Sequence, residues 1–361
     1  MLKYPRLIID LKKLEHNIKE LKSFCGKDSI DVAGVIKGFN GSLDMALKYD
    51  EMGLPIIASS RLEHLEPLKG KVKAKLMTIR IPMLSEISDV IRITDISLNS
   101  EIEVLKALNK EALKQDKTHD VILMKDLGDL REGFWDEHEI IEAALLVENE
   151  LSNLNLLGIG TNLGCYGSIV PTVDKLNELV YVAEKIEDKI GRKLQYISGG
   201  ATSSLPRLFE GNMPKRINML RVGEAIIFPE VIKDDWNCDA SFMEKEVFKL
   251  QTEVVEIKIK PSYPVGETYI DAFGNKPVYE DIGNRKRALV ALGKVDYAFL
   301  DKLQLLEEEA FIVGASSDHT IIDITDAKRD IYVGDIIEFG LCYQTLVYLT
   351  NSDNVNKVFI K

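Results

Sequence analysis

The feature that most constrains this chain is a rhythm. Between residues 32 and 222, short apolar runs alternate with amphipathic stretches of helical length. The runs are 32–36 (VAGVI), 55–58 (PIIA), 75–79 (KLMTI), 94–98 (TDISL), 120–124 (DVILM), 156–160 (LLGIG), 195–198 (QYIS) and 217–222 (INMLRV). They are near-continuous rather than alternating, as strands covered on both faces tend to be. The spacers carry the helical period; one places apolar residues at 173, 176, 179, 180 and 183. Eight such pairs predict a (β/α)8 barrel over residues 1–235, with an extra helix at 12–24 ahead of its first strand. An open doubly wound sheet is the alternative, but no GxGxxG stands at a strand-to-helix turn.

The character changes after about residue 235. FKLQTEVVEIKIK, ETYID, KRALVAL, AFIVGA, HTIIDIT, DIIEFG and KVFIK follow one another between Gly, Pro, Asn and Asp turns. Residues 236–361 therefore predict a second, mostly antiparallel β domain.

Composition excludes several classes. The 361 residues are 45% hydrophobic, enough for a large core or two domains. The net charge of −12 argues against general affinity for nucleic acid or anionic membrane. The basic cluster Asn284-Arg285-Lys286-Arg287 is short and reads as a solvated turn. Cys25, Cys165, Cys238 and Cys342 lie far apart, and the five histidines form no HxH or HExxH group, so no metal site is expected. The N-terminal apolar run is too short for a signal peptide or a membrane span. A soluble, cytoplasmic protein is the expectation.

In a barrel of this type, chemistry gathers just past the C-terminal ends of the strands. Lys37 follows the first run, and Ser59-Ser60-Arg61, Arg80 and Asn99 follow the next three. Asp126 and Arg131 follow the fifth run and Thr161-Asn162 the sixth. SGGATSS closes the seventh and RVGEA the eighth. No carboxylate pair suited to glycoside hydrolysis stands among them. The two Gly-rich segments could cradle a phosphate through backbone N–H groups and hydroxyls, or be ordinary turns. Arg221 could point into the barrel mouth or sit in a structural ion pair. Arg131 could serve the site or be a surface charge of its loop. Taken together, a strand-end lysine, a phosphate cradle and an arginine beside it fit pyridoxal 5′-phosphate (PLP). A desolvated lysine amine attacks an aldehyde to form a Schiff base.

AGVIKGFNG, VILMKDLGDLREGF, LLGIGTNLGCYGSIVPT, YISGGATSSLP, INMLRVGEAI, YIDAFGNKP, KRALVALG and SSDHTIID, in this order, carry a resemblance. The chain resembles the fold-type III PLP enzymes of the alanine racemase superfamily, and within it the ornithine racemase-like branch. The resemblance implies a PLP-dependent amino-acid racemase that works as a head-to-tail homodimer. Lys37 would hold the cofactor and act as one acid/base. Arg221 would donate to the pyridine nitrogen. Arg131 would lie near the cofactor's phenolic oxygen or the substrate carboxylate. Asn162 stands where alanine racemases place a histidine beside the ring. Thr202, Ser203, Gly223 and Glu224 would bind the phosphate, the last two through backbone N–H. Asp318 would lie near the substrate in the partner's β domain.

The chain also departs from alanine racemase. Those enzymes use a tyrosine of the β domain as the acid/base on the second face. Here the comparable position reads as Asp271, with Tyr269 two residues before it. An aspartate would serve if burial raised its pKa. Cys165 is a second candidate, or else a small buried apolar residue. His319 reads as a loop or supporting residue. The segment after Lys37, GFNG, lacks the phosphate-binding tyrosine of alanine racemases, which points to a longer substrate such as ornithine. Alanine or serine racemisation, a PLP lyase or decarboxylase on the same scaffold, and a non-catalytic PLP-binding protein are the alternatives.

Overall fold

The computed structural model describes residues 3–276 and 278–361. It divides into two compact units: Lys13–Lys245, and Met1–Lys12 together with Glu246–Lys361. A sequence cut at 235/236 leaves the N-terminal segment with the barrel. In the structure that segment forms β1 (Arg6–Asp10), which pairs within the second unit. A helix, Leu11–Gly26, follows it.

The barrel strands are β2 (Asp31–Val35), β3 (Ile56–Ser59), β4 (Lys75–Thr78), β5 (Ile96–Asn99), β6 (His119–Met124), β7 (Leu154–Gly160), β8 (Tyr196–Ser198) and β9 (Met219–Val222). Each is parallel to the next, and β2 pairs with β9 to close the ring. The eight expected runs are thus the eight staves. Ala33, Val35, Ile56, Ala58, Met77, Ile96, Leu98, Ile122, Met124 and Met219 are among the side chains that fill the inside. Alternation along a strand then fixes which later residues share that face. Two positions beyond Val35 comes Lys37, and two beyond Met219 comes Arg221. Their strands are neighbours across the closure.

Local chemistry sets the helix ends. The helix Val173–Ile190 begins where the Thr172 hydroxyl accepts the Lys175 N–H at 3.2 Å. It ends at Gly191 in the left-handed region, φ 74°. Its Leu176, Leu179, Val182, Ala183 and Ile186 are buried. Asp136 caps Glu137–Glu150 by accepting the His138 and Glu139 N–H groups.

The second unit is a mostly antiparallel sheet. Its strands are β10 (Phe248–Pro261), β11 (Asn284–Val290), β12 (Gln304–Leu305), β13 (Phe311–Ala315), β14 (Thr320–Asp323), β15 (Ile336–Gly340) and β16 (Asn356–Ile360). The order is β12-β15-β10-β11-β14-β13, with β1 antiparallel to β10 and parallel to β16. One expected run fails: ETYID, 267–271, forms no strand. It leads into a turn in which Asp271 and Asn275 bond each other through backbone and side chain. The local pattern is strand-like, but the exposed segment has no ladder to join.

Candidate active site

The mouth is built from the turns after β2, β6, β7, β8 and β9. Lys37 opens a short turn, Lys37–Phe39, that ends at Asn40 in the left-handed region. The lysine is exposed by area, yet the walls of the mouth strip its amine of hydration. That desolvation is the main cause of a pKa below the ordinary lysine value. Cys165 and Glu132 oppose the shift, while Arg131 and Arg221 add to it. These five groups therefore share one field. Among the described residues, nothing hydrogen-bonds the Lys37 amine.

Arg221 is buried and holds a fixed pose. Its Nη1 donates to the Ser198 hydroxyl and its Nη2 to the Thr161 carbonyl at 2.6 Å. Burial brings its pKa down to about 10, so it stays protonated near neutrality. No carboxylate pairs with it among the described residues, so the structural ion pair drops out. Close packing makes room for the fork: a Cβ at Gly160 would stand 3.4 Å from Nη1.

Arg131 does pair. Its Nε and Nη2 grip the Glu132 carboxylate, the latter at 2.6 Å, and this bond is the main cause of its raised pKa. The loop after β7 is tied to the loop after β6. The Asp129 carboxylate accepts the N–H groups of Cys165 at 3.2 Å and Tyr166 at 3.0 Å. Asn162 donates to the Cys165 sulfur at 3.1 Å. Cys165 is exposed, so it is not the small buried apolar residue that its surroundings in sequence allow.

The Gly-rich turns sit side by side. Thr202 is buried, and its hydroxyl oxygen accepts the Ala225 N–H at 3.3 Å, leaving its own proton free to donate. Ser203 differs: its hydroxyl donates to the Leu163 carbonyl at 2.7 Å, so only its backbone N–H can serve an anion. Gly223 lies against β2, where a Cβ would come within 3.0 Å of Val35 Cβ. The turns Thr202–Ser204 and Glu224–Ile227 have no side-chain cap. The Ser204, Ala225 and Ile226 N–H groups are taken by the Ala201 carbonyl, the Thr202 hydroxyl and the Gly223 carbonyl. That leaves the N–H groups of Ser203, Gly223 and Glu224 without an acceptor among the described residues. Burial raises the Glu224 carboxyl above its ordinary value, Asp235 adds to this, and Lys37 opposes it.

These features fit PLP. An unpaired amine, a fixed cationic donor and a cradle of free N–H groups with the Thr202 hydroxyl match an aldehyde, a ring nitrogen and a phosphate.

Asp271 and Asp318 belong to the other unit, on loops that meet at Gly293–Lys294. The Lys294 ammonium lies 3.9 Å from Asp271 Oδ2, and its backbone N–H donates to the Ser316 carbonyl. Ser317 Oγ donates to Asp318 Oδ2 at 2.8 Å. The raised pKa expected of Asp271 is absent. The Asn275 N–H leads several hydrogen bonds that hold its carboxyl below the ordinary aspartate value. His319 caps this loop, its carbonyl accepting the Ser316 N–H at 2.8 Å.

Sequence reasoning missed the parts played by Glu132, Asp129 and Ser198, and named Thr161 only as a strand-end residue. Ser198 was recoverable, because it shares a face with Tyr196 on β8. Glu132 and Asp129 carry no such signal; loop geometry alone brings them in.

The barrel, its mouth and the appended sheet define a class of lysine-bearing two-domain proteins. Residues 9–230 match the family described as alanine racemase, N-terminal domain, and the chain belongs to that family. It is 40% identical over 354 residues to an ornithine racemase of Acetoanaerobium sticklandii, covering 98% of this chain and 99% of that one. It is 35% identical over 359 residues to a lysine racemase of Thermotoga maritima, covering 99% and 98%. Alanine racemase of Clostridium difficile has the same fold: TM-score 0.77 at 20% identity, covering 100% of this chain and 97% of that one.

Proposed function

We propose that this protein is a PLP-dependent amino-acid racemase acting on ornithine. The observation that carries the reading is the full-length 40% identity to an ornithine racemase. The unpaired, desolvated amine of Lys37 supports it. When bound, PLP supplies the electron sink that acidifies the Cα–H of an attached amino acid. Lys37 would hold its aldehyde, and Arg221 its ring nitrogen. Thr202 and the N–H groups of Ser203, Gly223 and Glu224 would hold its phosphate. Asn162 would stand beside the ring.

Lys37 then takes or returns the Cα proton on one face. Arg221 keeps its proton, so it lends the ring nitrogen a hydrogen bond without ceding a full charge. That favours removal and return of a proton over further chemistry. Arg131, braced by Glu132, offers a guanidinium to the substrate carboxylate. The second face needs its own acid/base. Asp271 is one candidate, although its lowered pKa makes it a weak base for a Cα proton, and Cys165, exposed in the mouth, is the other. A head-to-tail homodimer in which a second copy supplies Asp271 and Asp318 belongs to this reading, as does a cytoplasmic location. Among the described residues no helix is long and apolar enough to cross a membrane.

The test is chiral chromatography of L-ornithine incubated with the PLP-loaded protein in D2O. D-ornithine carrying deuterium at Cα is the expected product. If ornithine, lysine, alanine and serine all keep their configuration and their Cα–H, the reading falls. Asp271→Asn and Cys165→Ala then identify the second base: its loss stops Cα exchange from one enantiomer only.

A further inference from the structure

At the opposite end of the barrel from Lys37, a groove of about 540 Å³ runs below the entries to β4, β5 and β6. Five of its lining side chains are cationic: Lys69, Lys73, Lys75, Arg92 and Lys117. Two are acidic, Asp95 and Asp120. In a chain of net charge −12 this is a concentrated reversal of sign.

The acids are already committed. Asp120 takes the Lys75 ammonium at 2.7 Å and the Asn155 amide at 2.8 Å. Asp95 accepts the Leu76 N–H at 2.8 Å. Arg92 is held by Asp89 and Glu66. Lys117 donates to the Ile91 carbonyl at 2.8 Å, at the end of the helix Ile87–Ile93, so that helix end is already neutralised. Lys69 and Lys73 have no carboxylate partner among the described residues. The charge of Lys69 is felt inside the groove: after desolvation it is the next cause of the lowered Lys117 pKa, with Asp95 opposing. Lys75 and Arg92 are balanced by carboxylates, and Asp95 partly offsets Lys117. The unbalanced positive charge at the groove is therefore that of Lys69 and Lys73, and an entering anion would relieve the repulsion of Lys117 by Lys69.

We propose that this groove binds a small polyphosphate, of the kind carried by a nucleoside di- or triphosphate, with Lys69, Lys73 and Lys117 as its ligands. The volume suits a small molecule. Val72 is the partly exposed apolar residue among its lining; Ile91 and Ile93 are buried beneath the lysines. The site is separate from the phosphate cradle at the mouth, and it stands whether or not the proposed reaction does.

The experiment is calorimetric titration of the PLP-loaded protein with ATP and, separately, with tripolyphosphate. Saturable binding of one or both is expected. The double variant Lys69→Glu/Lys73→Glu should weaken it roughly tenfold or more, and Lys69→Arg/Lys73→Arg should retain it. Both lysines are exposed, so each variant is expected to keep the circular dichroism and melting of the parent. Binding of both probes supports a nucleotide; binding of tripolyphosphate alone supports an inorganic polyphosphate at the same lysines. No saturable binding by the parent protein overturns the proposal. So does binding that survives the charge reversal, because the anion then sits elsewhere.

Discussion

Two lysines stand just past barrel strands and meet opposite fates. Lys37 follows β2, and Lys125 follows β6. Desolvation lowers the pKa of both. Lys125 is buried, and its amine donates to the Asp126 carbonyl at 2.8 Å and the Trp135 carbonyl at 2.9 Å, with the Trp135 ring 5.7 Å away. Its donors are spent on holding a loop. Lys37 is exposed by area, its amine is desolvated by the mouth, and it has no such partners among the described residues. The difference teaches that a strand-end lysine becomes reactive through being left unpaired, not through burial alone.

Exchanging the roles breaks the comparison most severely. Lys37→Ala is expected to lower racemisation by about 10⁴-fold, since in the proposed reaction one side chain would both hold the cofactor and move the proton. Steady-state kinetics check this, with little change in melting. Lys125→Met should do the reverse. It orphans two carbonyls and costs about 2–4 kcal/mol of stability, while the folded fraction keeps its kcat. Denaturant melts and active-site titration separate the two effects.

Arg221→Lys tests whether charge alone is enough beside Lys37. A lysine cannot reproduce the fork across the Ser198 hydroxyl and Thr161 carbonyl, so kcat should fall roughly 10–100-fold with stability nearly kept. The smallest effect is a shift in pH. Glu132 raises the Lys37 pKa, so Glu132→Gln should lower it further. The free amine attacks the aldehyde, so the rise of cofactor attachment with pH should move to lower pH in the variant. Stopped-flow absorbance on the apoprotein reads this directly; a shift to higher pH would contradict the shared field.

The contrast between the lysines also marks how far the sequence could be read. The barrel was legible because buried parallel strands write themselves as continuous apolar runs, and Lys37 and Arg221 because they end such runs. β1 was not legible: RLIID is five residues whose partners, β10 and β16, come more than 230 residues later. ETYID misled for the converse reason, having strand composition without a ladder. At the site, residue types were visible but hydrogen-bond partners were not. Nothing in SGGATSS tells the Thr202 hydroxyl, free to donate, from the Ser203 hydroxyl, already given to Leu163. Nothing in LREGF says that Arg131 is braced through its Nε and Nη2 by its own neighbour.

The central claim is that the unpaired amine of Lys37 is the one that reacts with a carbonyl. The most direct measurement is peptide mass spectrometry after the apoprotein is mixed with PLP and reduced with borohydride. The account predicts one stoichiometric adduct, on the peptide containing Lys37, with Lys125 unmodified. An adduct on Lys125 or scattered over surface lysines, or no adduct at all, would contradict it.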